Sequence, residues 1–198
     1  MKGEIMNYGK NVSVLLASAI VLVSAFNSFA DSAIAPTTPP YDLTANFKKI
    51  SPDEIQGNII KMISSDWMLI TAGTEQKFNG MTAGWGGIGN WGKPAAFILV
   101  RNDRHTYKFL EQEEYFTLSF FDEKYRPALK LFGTKSGRDI DKTKEAGLTG
   151  IPTTPGIAYA EAKLIIVCKK GFSTMTTPKD PGHKLYFGEI IAVWQKKG

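Results

Sequence analysis

A mainly β or α+β domain, its antiparallel sheet curled toward a barrel with helices packed outside, is the fold class that this sequence predicts. Strand-like runs follow one another from Trp67 onward with no long crossover helix to make them parallel. The chain also closes on two long runs rich in β-branched and aromatic residues, Ala158 to Lys169 and Lys184 to Gln195. Together these argue against a doubly wound parallel sheet.

The first 30 residues read as a targeting segment. Two lysines and one glutamate precede the uncharged stretch Val12 to Phe26, and Ser28-Phe29-Ala30 offers small residues at cleavage positions. That stretch is shorter than the ~20 residues a spanning helix needs, so cleavage after Ala30 and export, to a periplasm-like compartment, are expected, with no stable membrane insertion afterwards. Residues 31–46 include Pro36, Pro39 and Pro40 among small and hydroxylated residues and are expected to be a tether. The domain is then expected over residues 47–198, enough chain for one core. Removing Lys2, Lys10 and Glu4 from the 24 basic and 19 acidic residues leaves a charge of +4. Lysines scattered among acids do not make a nucleic-acid stripe, and a modest anionic ligand suits this excess better than a polyanion. The single cysteine, Cys168, rules out an internal disulfide and sits in a strand-like run where a buried, inert thiol is expected.

Ser51-Pro52-Asp53-Glu54 combines an N-cap, a first-turn proline and a capping-box glutamate, predicting a helix to about Ile63. Strands are expected at Trp67 to Thr74 and Met81 to Trp85 around a turn at Asn79-Gly80, then at Ala95 to Val100 after a glycine-rich loop. Asn102 or Asp103 is placed to cap a helix through Glu111, Tyr115 to Phe121 alternates as a strand, and Glu123 to Phe132 is helical in pattern. A polar loop, Gly133 to Asp141, leads to a short helix closed by Gly147, and Pro152 and Pro155 mark a further loop.

Four segments are candidates for chemistry. Gly84-Trp85-Gly86-Gly87-Ile88-Gly89 fits G-x-G-x-x-G, but a strand rather than a helix follows it, so the dipole that would hold a pyrophosphate is missing. Its glycines still permit close approach of backbone to a flat ligand. Arg101-Asn102-Asp103-Arg104-His105-Thr106 joins two guanidiniums, a hydroxyl and the free amides of a helix start. That set suits a phosphomonoester, and equally a solvated cap whose arginines pair with Asp103 and Glu111. Gly133-Thr134-Lys135-Ser136-Gly137-Arg138-Asp139 offers hydroxyls, cations and flexible amides, as a plain surface loop also would. Gly182-His183-Lys184-Leu185-Tyr186-Phe187-Gly188-Glu189 opens a strand on one of only two histidines. Neither has partners at metal-ligand spacing, and no Gly-x-Ser-x-Gly elbow supplies a hydrolytic serine.

Five blocks, Asn79 to Gly87, Arg101 to Tyr107, Tyr115 to Phe121, Gly133 to Asp139 and Gly182 to Glu189, stand in an order and spacing that resembles the flavin reductase-like domain, especially its flavoredoxin branch, over about Phe47 to Trp194. The resemblance implies an antiparallel, Greek-key-like split β-barrel with peripheral helices, a homodimer, and bound FMN. It implies that Asn79, Thr82 and the Ala83 and Gly84 backbone meet the polar atoms of the flavin ring and that Trp85 packs on it. It gives Arg101, Arg104 and Thr106 to the phosphate, with Lys135 and Ser136 as further ligands, and puts His183 beside the flavin as a catalytic candidate guiding nicotinamide or a proton. NAD(P)H is then the expected co-substrate, and a redox partner or small molecule the acceptor. Two departures stand out: Gly84 replaces the serine expected after Met-Thr-Ala, and the leader sets this chain apart from cytoplasmic reductases. An electron carrier reduced by another protein and a non-catalytic flavin-binding protein are the alternatives.

Overall fold

The computed structural model describes residues 41–178 and 181–198; the leader, most of the expected tether, Lys179 and Asp180 lie outside the described residues. Ordered structure starts earlier than the expected end of the tether. Asp42 caps a single-turn helix, α1 (Leu43–Asn46), by accepting from the Thr44 amide at 2.9 Å. Leu43 and Phe47, four residues apart, are both buried, which the proline-rich composition just upstream does not reveal. The chain continues into β1 (Phe47–Ile50).

The capping box at Ser51 forms, but it starts only a 3-10 turn, Pro52–Glu54. Gly57, with a φ of 108°, diverts the chain, and Asn58 caps a separate helix, α2 (Ile59–Ser64). β2 (Met68–Gly73) and β3 (Phe78–Ala83) form a hairpin whose turn lies at Thr74 to Lys77. Asn79 and Gly80 are therefore in the strand and not in the turn, a correction to the expected register. The glycine-rich segment is partly extended as β4 (Gly87–Asn90), which pairs with β5 (Pro94–Arg101). The helix α3 (His105–Gln112) begins after Arg104 rather than after Asn102 or Asp103. β6 (Tyr115–Phe120) and α4 (Arg126–Thr134) fall where the pattern puts them, followed by the one-turn α5 (Lys142–Glu145).

Pro152 and Pro155 flank the turn of a small separate hairpin, β7 (Gly150–Pro152) and β8 (Ile157–Tyr159). The first long strand is displaced from its expected start at Ala158: β9 runs over Leu164–Met175 and pairs with β10 (His183–Lys196). Ala158 is already buried in β8, and the chain turns between Tyr159 and Leu164 to enter the large sheet.

The large sheet is antiparallel in the order β3-β2-β6-β9-β10-β5-β4, with β1 beside β10. The ladder does not close between β3 and β4 among the described residues, so the barrel is open, or split. One core cluster contains Ile70, Ile98, Phe116, Ile166 and Tyr186; the other contains Leu69, Phe132, Tyr159, Ile165 and Val167. Neighbours such as Leu69 and Ile70, or Ile165 and Ile166, enter opposite clusters because successive strand side chains point to opposite faces. Both faces are covered there, which explains why these strands read as unbroken apolar runs. Cys168 is buried, and burial pushes its thiol pKa up, in line with an inert core thiol.

Candidate functional site

Because β3 ends the sheet, it pairs with β2 along one edge only, and its other edge is free for side chains or a ligand. On that edge the Gly80 carbonyl accepts from Asn79 Nδ2 at 3.2 Å and from Lys142 Nζ at 2.5 Å. Alternation along the strand puts the Thr82 backbone groups on the same edge. Three elements converge there: β3, the start of α3, and the end of α4 with the loop that follows it.

They wall a cleft of about 170 Å³ lined by Asn79, Thr82, Trp85, Arg104, Thr106, Lys135 and Ser136, among others. Seven of the ten sequence-predicted binding residues are thus brought together from three separate segments. The Asn79 amide is buried and spends its second proton on Thr106 Oγ1 at 2.7 Å. Thr106 is 1% exposed, and with its oxygen accepting from Asn79 its own proton is left to donate. Ser136 Oγ accepts from the Arg138 amide at 3.2 Å and likewise keeps its proton. Arg138 Nη2 donates to the Asp103 carbonyl at 2.9 Å, tying this loop to the start of α3. Thr82 Oγ1 donates to the Leu129 carbonyl at 2.6 Å, so this hydroxyl braces β3 against α4. Trp85 donates its indole proton to the Leu99 carbonyl at 2.8 Å; the pinned ring remains 48% exposed and presents a flat apolar face.

Gly137 closes the cleft against Asn79. A Cβ there would overlap Asn79 Oδ1 and come within 3.1 Å of Asn79 Cγ and 3.2 Å of His105 Cδ2. Only a glycine allows this approach with the Asn79 side chain where it is.

Four cations, Arg104, Lys135, Arg138 and Lys142, line this cleft against one carboxylate, Asp103. With the unpaired amides at the start of α3, this makes a field suited to an anion. His105 is held below its usual pKa by burial and then by Arg138, Lys108, Lys142 and Lys77, which leaves a neutral imidazole at pH 7.

Three predicted binding residues and the catalytic candidate are not brought to the cleft. Ala83 is buried, and its partner across the ladder is Met68. Gly84 faces Trp67 and the end of α2. Arg101 lies opposite His183 in the β5–β10 ladder, and its Nη2 pairs with Asp103 at 2.6 Å, while Arg104 reaches Asp103 only at 3.7 Å. This is the ion-paired arrangement that the residues alone left open for Arg101. His183 starts β10 beside Arg101 and does not line the cleft.

Sequence reasoning put His105 and Arg138 inside candidate segments without giving either a role, and it missed Lys142. All three also line a second cavity of about 720 Å³ that adjoins the first through Asn79, His105, Phe132, Gly137, Arg138 and Lys142. No pattern marked Lys142, which looks like an ordinary lysine in a charged one-turn helix yet is 6% exposed. Among the described residues no cluster of His, Cys, Asp and Glu could hold a metal, and no helix is long and apolar enough to cross a membrane.

Comparison with known proteins agrees with this architecture. No curated protein matches the chain. Among solved structures, flavoredoxin of Desulfovibrio vulgaris (Miyazaki F) superposes with a TM-score of 0.57 at 24% identity, covering 64% of this chain and 67% of its own. The FMN-binding domain of a flavin reductase-like enzyme from Shewanella baltica OS155 gives 0.59 at 16% identity, covering 76% and 77%. An NADH:FAD oxidoreductase of Streptomyces globisporus C-1027 gives 0.56 at 18% identity, covering 67% and 78%. The sequence profile of the flavin reductase like domain matches residues 61–198, well over half the chain, and the chain belongs to that family.

Proposed function

We propose that the protein is an FMN-binding oxidoreductase of the flavin reductase type, with NAD(P)H as donor and a redox partner or small molecule as acceptor. The observation that carries this reading is the convergence of the α3 start, the 133–138 loop and the free edge of β3 on one cationic cleft. The residues fit the cofactor. Arg104, Lys135, Thr106 and Ser136 form a phosphate donor set, Trp85 offers a packing face, and the adjoining larger cavity, about 720 Å³, falls within the ~300–1,000 Å³ typical of cofactor sites. Bound FMN would supply two-electron chemistry at its ring. The chain's own part is to fix the phosphate with charge, to direct the Thr106 proton through Asn79, and to shield the ring with Trp85.

Titration of the purified apoprotein with FMN and riboflavin, followed by anaerobic mixing with NADH or NADPH, tests the proposal. One FMN per subunit, preference over riboflavin and bleaching by a nicotinamide support it; bleaching by dithionite alone rejects the donor. One observation favours a second reading, an electron carrier reduced by another protein: His183, the candidate for the donor side, stands away from the cleft. Export, read from the leader, would suit such a carrier.

We extend the proposal to a homodimer. Trp91 packs edge-on against Phe172 and Phe187, which stack on each other at 5.3 Å, and Trp91, Phe97, Phe172 and Met175 are all exposed. A two-fold axis through this patch would let it cover its own copy.

A further inference from the structure

Lys142 stands out because a cation is costly to bury and this one has no carboxylate partner within ion-pair distance among the described residues. Its Nζ donates to the carbonyls of Gly80, at 2.5 Å, and Phe132, at 3.1 Å, and lies 5.2 Å from the centre of the Phe132 ring. The Phe132 carbonyl belongs to the last turn of α4, where intrahelical partners run out, so the contact completes a helix end and fastens it to β3.

That clasp does not require charge. A neutral amine has two protons, enough for two carbonyls, and burial favours the neutral form, lowering the pKa to about 8. At pH 7 the ammonium nevertheless persists, with a third proton beyond the two the carbonyls use. Lys142 lines both adjoining cavities, and it grips the same strand against which the flavin ring is proposed to lie. Arg104, Lys135 and Ser136 line only the smaller cavity.

We propose that Lys142 is the buried cation that binds the electron-rich pyrimidine edge of the flavin ring and stabilises its reduced, anionic form relative to the oxidised one. The proposal rests on the FMN reading above and assigns the ring, not the phosphate, to this side chain. Two-electron reduction with uptake of one proton leaves a negative charge at that edge, and a fixed positive charge beside it favours the reduced state.

The test compares wild type with Lys142→Gln, whose amide can still serve the carbonyls without charge, and with Lys142→Arg. The readouts are oxidised-FMN affinity, the FMN-to-riboflavin preference and the midpoint potential of the bound flavin. The glutamine variant is expected to lose about tenfold of the preference for reduced flavin, which lowers a two-electron potential by about 30 mV. Its FMN-to-riboflavin preference should stay within about threefold of wild type, and the arginine variant should retain the wild-type potential. An unchanged potential in Lys142→Gln overturns the proposal, and so does a loss confined to FMN, which would make Lys142 a phosphate ligand.

Should the glutamine variant fail to fold, the wild-type potential against pH decides. If reduction raises the Lys142 pKa, proton uptake should climb from one toward two per two electrons as the pH rises through about 8. A slope unchanged through that range overturns the proposal. Lys77, His105, Arg138, Asp139, Asp141 and Lys144 also face these cavities. They remain in Lys142→Arg, so a steepening that survives there belongs to them and counts against Lys142. Wild type that binds no flavin rejects the FMN reading itself, and the present inference falls with it.

Discussion

Gly137→Ala is a one-methyl test of the site's construction. The backbone at Gly137 is not in the left-handed region, so the substitution acts through space and not through φ. Its Cβ would overlap Asn79 Oδ1, and Asn79 cannot swing aside freely because its amide nitrogen holds the Gly80 carbonyl and Thr106 Oγ1. Either the loop moves or Asn79 gives up its bond to Thr106. Overpacking of this kind costs about 1–3 kcal/mol, and a lost internal hydrogen bond about 1 kcal/mol. Urea denaturation of the apoprotein should therefore show a loss of about 1–3 kcal/mol. Fluorescence titration should show FMN binding weakened about fivefold or more as the Thr106 proton loses its direction. Asn79→Ala removes the obstructing amide, so adding Gly137→Ala to it should cost less than about 0.5 kcal/mol, a non-additivity that a double-mutant cycle measures directly. Gly137→Ala with wild-type stability and FMN affinity would refute the close approach of Asn79 to the loop and the orienting role built on it.

Arg104→Ala should weaken FMN about ten- to a hundredfold and leave riboflavin nearly unchanged. Arg101→Ala, whose guanidinium does not line the cleft and meets it only through its ion pair with Asp103, should alter both flavins by less than about threefold in the same titrations. The Lys142 pKa, lowered from 10.5 to about 8 by burial, means that between these values the unfolded chain holds a proton the folded apoprotein has released. Stability attributable to Lys142 should accordingly rise with pH across that window, by up to about 3 kcal/mol, and the wild-type-minus-Lys142→Met difference in denaturation free energy should show that slope. Trp91→Glu places a charge in the exposed aromatic cluster and should shift light scattering from dimer to monomer at micromolar concentration while the far-UV spectrum stays unchanged.

What the sequence showed of the fold came from features that act locally. Tyr115–Phe120 and the α4 run declare themselves by alternation and helical spacing, and both lie where those patterns predict. Register was less legible. Asn79-Gly80 has the composition of a hairpin turn, yet Gly80 is required in the strand because a Cβ there would come within 2.7 Å of the Tyr159 hydroxyl, a residue far along the chain. The strand expected from Ala158 is interrupted for a similar reason: Ile157, Ala158 and Tyr159 are buried in a separate hairpin before the chain enters the large sheet. Within the site, Arg104, Thr106, Lys135 and Ser136 were legible because motif spacing carries them. Lys142 was not, because its burial depends on a β3 carbonyl 62 residues away and on the end of α4, and neither leaves a mark on its neighbours in sequence.

The displacement of His183 from the cleft changes how it can matter. Its strand still reaches the cationic site through α3. Glu111, at the far end of that helix, accepts from Tyr186 Oη at 2.7 Å and from Lys184 Nζ at 2.8 Å, and Lys170 of β9 donates to the Leu110 carbonyl. Lys184 also lies over the rings of Tyr107 and Tyr186. The residue next to His183 therefore anchors the C-terminal end of the helix whose N-terminal end carries Thr106 into the cleft. A shift of β10 at this point would be transmitted along a rigid eight-residue helix instead of through contact with a ligand. The segment around His183 thus supports by position the cleft that Thr106 lines.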